Sequence, residues 1–285
     1  MNELRRIVLV DLDMTLIDGQ YQPSSGSLGP LAETIRLLGQ RGVVVGLNSD
    51  TPVSSLRWWS DELSLSGPIV AENGQVIALT SSDSPEVLSQ NAAVFDSLRR
   101  RVLAALLECH PQAFIACGDV TLFRARGGRP HGVDHEAFLV NGLRQCSFSM
   151  YALRLEGDRL QPCAALMEQA ETIVRRELSF EGVGSQVRLE PNAAYGILIV
   201  HEIRASKSLG VRRLMERLGA EYEYFMIGDS KSDIITDTPI PMKMCAVGNA
   251  CSELKAVSRD SGGVVAERDL TEGVVEILRK FLGAA

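Results

Sequence analysis

The chain has 285 residues, of which 45% are hydrophobic and 23% are charged, and its formal net charge is −7. This negative charge disfavours binding to nucleic acid or to anionic lipid, and no run of basic residues offsets it locally. No uninterrupted apolar stretch approaches the length of about 18 residues that a membrane helix needs. The composition is therefore typical of a globular protein whose partner is a small molecule, and the length allows one large domain or two ordinary ones.

The apolar run after Arg5 and Arg6 is too short for the core of a signal peptide, and aspartates follow it directly. The six cysteines include no Cys-x-x-Cys pair. Several of them lie inside apolar segments, where a reduced thiol behaves as a small hydrophobic group. We therefore expect a cytoplasmic protein without a disulfide framework.

Short apolar runs, each followed by a polar or glycine-containing loop, organise the two ends of the chain. They predict strands at residues 7–10, 43–47, 69–71, 224–227 and 244–247. Between the first two strands, apolar residues at helical spacing predict a helix at 31–40, with Gly42 ending it. Continuous apolar runs separated by helices are typical of a parallel sheet that is covered on both faces. The predicted fold class is therefore α/β, with a Rossmann-like parallel sheet and helices on both faces.

The sequence pattern changes in the middle of the chain, where it predicts an inserted α+β cap domain. Helical patterns and strand-like runs alternate there, at 94–109, 151–155, 164–177, 186–189 and 196–200. We therefore predict a catalytic core formed by 1–85 and 203–285, with the inserted domain at 86–202. Because parallel sheets bind ligands at the carboxyl ends of their strands, polar loops from both parts of the core are expected to converge on one crevice.

Two carboxylates, Asp11 and Asp13, follow the first predicted strand. A carboxylate can attack phosphorus and form an acyl phosphate. A second acid two residues on can protonate the leaving oxygen and later deprotonate water. Such a pair alone is more often an ordinary loop with two solvated acids, so it needs support from other residues.

A second acidic pair, Asp229 and Asp233, follows the predicted strand at 224–227 and supplies that support. Four acids at two strand ends form a site of hard oxygen donors. This suits Mg²⁺, which takes few protein carboxylates and keeps several waters. A divalent cation there would offset the repulsion between Asp11 and an incoming phosphate. We therefore predict Mg²⁺ as the cofactor.

Two further residues would complete a phosphate site. Ser49 follows the second predicted strand and offers a hydroxyl, and Lys207 offers a point charge for the same phosphate oxygens. Taken singly, a serine after a strand is usually a turn or cap residue, and a single lysine is usually a solvated surface residue. It is the ordered set of these residues that indicates a phosphate site.

The order of these motifs resembles the haloacid dehalogenase-like superfamily. The matching residues are Asp-x-Asp-x-Thr after the first strand, Ser49 after the second, Lys207 on a helix, and Gly-Asp-x-x-x-Asp from Gly228. Further details look like the Cof-type sugar phosphatases, which are relatives of sucrose-phosphate and trehalose-phosphate phosphatases. The Glu-Asn-Gly segment at 72–74 and the segment around Asn249 both match. In that group a large α+β cap, of the type termed C2B, lies between the second and third motifs.

The resemblance implies a Mg²⁺-dependent phosphomonoester hydrolase that acts on a small phosphorylated metabolite, above all a sugar phosphate, through an aspartyl-phosphate intermediate. It makes Asp11 the nucleophile and a metal ligand. Asp13 would be the general acid and base and would bind the metal through its backbone carbonyl. Asp229 would be the third protein ligand, and Asp233 would support the metal directly or through water.

The resemblance also assigns Ser49 and Lys207 to the transferring phosphoryl group, with Asn249 helping to position it. Three departures from the family pattern matter, and one of them is Ser232 in place of the common asparagine. Met14 stands where glycine is usual, and the segment 48–51 replaces the usual Thr-Gly-Arg, so that an arginine contact with substrate is missing. The Ser-Asp pair in this segment is shared with phosphomannomutases.

Two other functions stay open. One is a phosphomutase of the phosphomannomutase type, which returns the phosphoryl group to its substrate. The other is a catalytically silent binding protein with the same fold, although four acids gathered without a metal would repel one another. In the predicted cap, Arg124, Arg126 and Arg129 surround a glycine-containing loop that could reach a second anionic group, while a solvated loop is the more common case.

Overall fold

A computed structural model describes residues 5–19, 21–125, 136–157, 159–182 and 184–283. Arg126 and Arg129 lie outside the described residues, as does the side chain of Arg124. The chain divides into two compact units, which are Met1–Leu88 with Ser206–Ala285, and Ser89–Ala205. None of the helices within the described ranges has the length and apolar character required to cross a bilayer.

In chain order, the first unit begins with β1 (Arg5–Val10), α1 (Leu28–Gly39), β2 (Val43–Asn48), α2 (Val53–Glu62), β3 (Ile69–Ala71), β4 (Val76–Ala78) and β5 (Glu86–Val87). The second unit contains α3 (Ala92–Cys109), β6 (Phe114–Gly118), α4 (Val120–Ala125), β7 (Glu136–Asn141), β8 (Ser147–Glu156), β9 (Arg159–Pro162), α5 (Ala164–Glu181), β10 (Val187–Asn192) and β11 (Ile197–Glu202). The chain then completes the first unit with α6 (Lys207–Leu218), β12 (Tyr222–Gly228), β13 (Met242–Ala246), α7 (Ser252–Asp260) and α8 (Leu270–Gly283).

The first unit is built on a seven-stranded sheet in the order β13-β12-β1-β2-β3-β4-β5. The strands from β13 to β3 pair in parallel, and β4 and β5 are antiparallel to their neighbours. The register of β1 with β12 ends at Val10 opposite Ile227. Two strands from opposite ends of the sequence therefore finish side by side, at the edge of the sheet where Asp11 and Asp229 follow them.

The side chains of β1 show that the first sheet is covered on both faces. Ile7, Val8, Leu9 and Val10 are all buried, which requires cover on both faces of β1 because successive side chains point to opposite faces. Helix α1 buries Leu31, Thr34, Ile35 and Leu38, a spacing that forms one helical face. The predicted α/β fold class is confirmed.

The boundaries of α1 differ from the sequence prediction. The helix begins three residues earlier than the predicted 31–40, at Leu28, and it ends at Gly39. Gly42 has φ +74° and lies in the turn before β2, not at the end of the helix. The apolar periodicity marks only the buried face, so it does not report the first turn before Leu31.

The second unit is a six-stranded sheet with the order β10-β11-β8-β7-β6, to which β9 is added by pairing with β8. Helices α3 and α5 pack against each other, and their apolar residues, such as Phe95 and Leu166, form one core with Phe138 and Phe148 of the sheet. The sequence pattern does not predict β6 or β9, because both are partly exposed and lack a continuous buried run.

The junctions between the units fall at Leu88/Ser89 and Ala205/Ser206, where the sequence prediction gave 85/86 and 202/203. At the first junction, β5 pairs with β4 and so belongs to the first sheet. At the second, the hydroxyl of Ser206 accepts the backbone N–H of Leu209 and caps α6. That the second unit acts as a cap over the site stays a prediction.

Candidate active site

Asp11 stands where β1 ends, and the sheet itself holds its backbone in place. The amide of Asp11 donates to the carbonyl of Ile227 in β12 at 2.9 Å. Its carboxylate is buried, and Lys207 Nζ donates to Asp11 Oδ1 at 2.7 Å and to Asp233 Oδ1 at 2.5 Å. One lysine thus bridges acids that come from the two ends of the chain.

Lys207 reaches this position because α6 approaches the turn between β3 and β4 very closely. Gly74, in that turn, has φ +84°, and a Cβ on it would lie 2.0 Å from the carbonyl oxygen of Ser206. A Cβ on Gly210 in α6 would lie 2.7 Å from Gly74 Cα. Only glycine permits both the backbone conformation and this contact. The Glu-Asn-Gly segment recognised in the sequence therefore helps to place the lysine.

The loop after β12 is organised around the fully buried carboxylate of Asp233. Its Oδ2 accepts hydrogen bonds from the amides of Asp229 and Ser230 and from the Ser230 hydroxyl, each at 3.0 Å. A Cβ on Gly228 would lie 2.4 Å from Asp233 Cγ, which explains the glycine at the end of the strand. Asp229 is held from another loop, because the buried hydroxyl of Thr15 donates to its Oδ1 at 3.2 Å.

Asp11, Asp229 and Asp233 form a candidate metal site. Each offers one carboxylate oxygen, and these three atoms lie within 4.8 Å of one another. Burial raises the pKa of Asp11 well above its usual value, with Lys207 opposing that rise and Asp233 and Asp13 adding to it. Burial, together with Asp233, raises the pKa of Asp229 to about 6. One ammonium group therefore does not balance these acids, and a hard divalent cation such as Mg²⁺ fits the all-oxygen donor set.

Lys207 stays charged in this environment. Burial lowers the pKa of its ammonium group, but the attraction of Asp11 and Asp233 outweighs burial and leaves the pKa above its ordinary value. A permanently charged lysine beside Asp11 is suited to the oxygens of a transferring phosphoryl group. Lys207 also restricts rotation of the Asp11 carboxylate by holding one of its two oxygens.

Asp13 and Ser49 lie on neighbouring loops and are linked by Thr51. The Thr51 hydroxyl donates to Asp13 Oδ2 at 3.3 Å, and the Thr51 amide donates to Ser49 Oγ at 3.2 Å. The amide of Ser49 itself donates to the carbonyl of Val70 in β3 at 2.9 Å, so it is used by the sheet. The side chain of Asp13 is not one of the three clustered carboxylates, which suits an acid and base better than a side-chain metal ligand.

Asn249 connects the loop after β1 to the start of α8. Its Nδ2 donates to the carbonyl of Met14 at 2.8 Å, and its Oδ1 accepts the amide of Leu270 at 2.9 Å. These contacts hold the loop, and the predicted role of Asn249 in positioning a phosphoryl group stays a prediction. Met14 has φ +58°, a left-handed conformation that accounts for glycine as the usual residue there.

The sequence assigned no role to Thr15 or Thr51. Thr15 belongs to the Asp-x-Asp-x-Thr motif and contacts Asp229. Thr51 stands between Ser49 and Pro52 and contacts Asp13. The only sequence feature that could have pointed to these two threonines is the presence of a hydroxyl residue inside each motif. Both contacts join different loops, and a distance between loops cannot be read from the sequence.

Comparisons with known proteins found similar sequences and structures, although no protein-family model matches the chain. The chain is 27% identical over 278 residues to phosphoglycolate phosphatase 1 of Saccharolobus solfataricus, covering 97% of this chain and 96% of that protein. Its structure is similar to a haloacid dehalogenase-like hydrolase of Bacteroides thetaiotaomicron, with a TM-score of 0.63, 16% identity, and coverage of 97% of this chain and 99% of the other. It is also similar to the Synechocystis sucrose-phosphatase in complex with sucrose and phosphate, with a TM-score of 0.51, 17% identity, and coverage of 97% and 98%.

The chain therefore has the fold of the haloacid dehalogenase-like hydrolases over nearly its whole length, as its ordered motifs predicted. Two of these similar proteins are named as phosphatases, one for phosphoglycolate and one for sucrose phosphate.

Proposed function

We propose that this chain is a Mg²⁺-dependent phosphatase that transfers the phosphoryl group of a small phosphorylated metabolite, a sugar phosphate, to Asp11 and then to water. The observation that supports this proposal most strongly is the buried lysine, Lys207, which bridges Asp11 and Asp233 beside Asp229. A nucleophile, a permanent cation and a set of oxygen ligands are thereby brought together at the carboxyl edge of one sheet. Surface loops with solvated acids would not be expected to bury this set.

In the first step, a carboxylate oxygen of Asp11 attacks phosphorus and forms the aspartyl phosphate. The bond from phosphorus to the leaving oxygen breaks, the electron pair stays on that oxygen, and Asp13 gives it a proton. The Ser49 hydroxyl and the Lys207 ammonium group hold the phosphoryl oxygens during the transfer. The alcohol leaves, and Asp13 is now ionised.

In the second step, water attacks the same phosphorus while Asp13 takes a proton from it. The bond from phosphorus to the Asp11 oxygen breaks, which releases inorganic phosphate and restores the carboxylate. Asp13 is protonated again and ready for the next substrate. Asp13 therefore acts as an acid in the first step and as a base in the second, and the enzyme is regenerated.

Asp11, Asp229 and Asp233, with the backbone carbonyl of Asp13, are the groups that would hold Mg²⁺. The cation would screen the negative charges of Asp11 and the incoming phosphate when bound there. The raised pKa values of Asp11 and Asp229 support this assignment, since burial, with the neighbouring acids adding to it, disfavours their ionised forms as long as no cation is bound.

The substrate class is proposed from the resemblance of the motifs and from the names of the relatives. A phosphoglycolate phosphatase and a sucrose-phosphatase are among the similar proteins, and both names denote phosphate esters of small molecules. We propose that the second unit acts as the cap that selects the leaving group. The cytoplasmic location predicted from the sequence stays a prediction.

The direct test is hydrolysis of a panel of hexose, amino-sugar and disaccharide phosphates, together with phosphoglycolate, in the presence of Mg²⁺. We expect release of inorganic phosphate by the wild type and its loss in Asp11→Asn, by a factor of about 10³ or more. Chelation of the metal should have the same effect as the substitution. Full activity of Asp11→Asn would overturn the mechanism, and an isomeric sugar phosphate in place of free phosphate would favour the phosphomutase.

A further inference from the structure

Thr51 contacts the proposed general acid directly, and it does so from a buried position. Its hydroxyl donates to Asp13 Oδ2 at 3.3 Å, and its side chain is only 6% exposed. Asp13 itself is half-buried, so the hydrogen bond is shielded from water on the Thr51 side. We propose that Thr51 is a positioning residue that sets the orientation of the Asp13 carboxyl group for proton transfer to the leaving oxygen. This inference rests on the function proposed above.

The backbone of Thr51 is held on both sides, which makes it a rigid support. Its amide donates to Ser49 Oγ at 3.2 Å, and its carbonyl accepts the amide of Glu72 at 3.3 Å. Pro52 follows directly and has φ −58°, and a proline restricts the preceding residue to extended conformations. The branched Cβ of threonine further limits rotation about χ1. The hydroxyl is thus oriented before any substrate arrives.

This contact gives the two carboxyl oxygens of Asp13 different roles. Oδ2 accepts the Thr51 hydroxyl whether the acid is ionised or protonated, because a neutral carboxyl group keeps one oxygen that is only an acceptor. The transferable proton is then carried by Oδ1. The Thr51 hydroxyl restricts rotation of the carboxyl group, and its loss would widen the range of orientations, of which only some bring the proton to the leaving oxygen.

Substrates with different leaving groups separate this role from a general structural one. An alkyl phosphate needs a proton on its leaving oxygen, whereas p-nitrophenyl phosphate expels a stable anion and needs little proton donation. The ratio kcat/KM reports the steps up to departure of the leaving group. The test is therefore kcat/KM for p-nitrophenyl phosphate and for the alkyl phosphate that the wild type cleaves fastest, at saturating Mg²⁺.

Three variants supply the comparison. Thr51→Val removes the hydroxyl and keeps the shape, and Thr51→Ser keeps the hydroxyl. Thr34→Val is a matched control at another buried threonine, whose hydroxyl donates to the carbonyl of Pro30 at 2.7 Å within α1. Should Thr51→Val fail to fold, Thr51→Ala removes the hydroxyl without introducing a bulkier apolar group.

For Thr51→Val we expect kcat/KM to fall by about 10- to 100-fold with the alkyl phosphate and by less than about 3-fold with p-nitrophenyl phosphate. Thr51→Ser should keep the wild-type ratio between the two substrates, and Thr34→Val should change neither value. An equal fall for both substrates, or no fall, would overturn the inference while wild-type activity still depends on Asp11. A wild type that cleaves neither ester would overturn the proposed function itself.

Discussion

At the scale of single residues, the site is defined by negative charge that its own lysine does not neutralise. Burial and the neighbouring Asp233 raise the pKa of Asp229 from 3.8 to about 6, and burial raises that of Asp11 as well. A folded protein that holds these acids ionised without a metal loses part of its stability. The same charges become favourable once a divalent cation is bound.

The first prediction concerns Asp229→Asn in the metal-free protein. The folded state binds more protons than the unfolded state between pH 4 and pH 6, because the pKa is raised on folding, so the free energy of unfolding falls as pH rises through this window. Asparagine removes that titration and can still accept the Thr15 hydroxyl. We expect the variant to be more stable than the wild type by about 1 to 2 kcal/mol at pH 7.5 and to lose this advantage near pH 4.

Urea unfolding in a chelator at pH 4 and at pH 7.5 measures this difference. The control is Asp61→Asn, which changes an exposed aspartate of α2 and should leave the pH dependence as it is. A lower stability of Asp229→Asn at pH 7.5 would contradict the proposed excess of charge.

At the scale of elements, the position of the lysine depends on how closely one helix meets one turn. The first turn of α6 touches the turn between β3 and β4 through backbone atoms, at Gly74 and Gly210. The sequence shows glycines at both positions but not that they face each other. The Glu-Asn-Gly segment was therefore recognisable as a family feature, while its physical purpose became clear only from the packing of α6.

The second prediction is that Gly74→Ala lowers both stability and activity. A methyl group there would lie 2.0 Å from the Ser206 carbonyl, so α6 must move, and Lys207 would move with it. We expect a loss of about 2 to 4 kcal/mol in the free energy of unfolding and a fall in kcat. The matched control is Gly182→Ala, at a glycine that also has a positive φ, +68° in the left-handed region, but no neighbouring atom within 4 Å. It should lose only about 1 kcal/mol and keep its kcat, and equal effects of the two substitutions would refute this explanation.

At the scale of the whole molecule, the site exists only because the chain leaves the first sheet and returns to it. Strand β1 contributes Asp11, and β12, which pairs with it, contributes Asp229 after the whole second unit has been traversed. A metal held between these two segments would join the two ends of the chain. Binding should then stabilise the folded state in proportion to the logarithm of the metal concentration.

The third prediction is that MgCl₂ raises the midpoint of thermal unfolding in the wild type. At a concentration of about 100 times the dissociation constant, the gain is about 2.7 kcal/mol. We expect Asp229→Asn to lose most of this gain, because it removes one ionised ligand from the cluster. NaCl at equal ionic strength controls for screening, and an undiminished shift in the variant would place the metal elsewhere.

The sequence by itself determined the α/β class, the five parallel strands of the first sheet, the acids that follow two of them and the lysine that the motif order singled out. It could do so because apolar runs, turn residues and motif order are local properties of a chain. The tertiary structure decided which atoms meet: that Lys207 joins Asp11 to Asp233, that Thr51 holds Asp13, and that Asn249 bonds to backbone atoms. These are distances between loops that lie far apart in sequence, and such distances arise only when the strands that carry the loops pair.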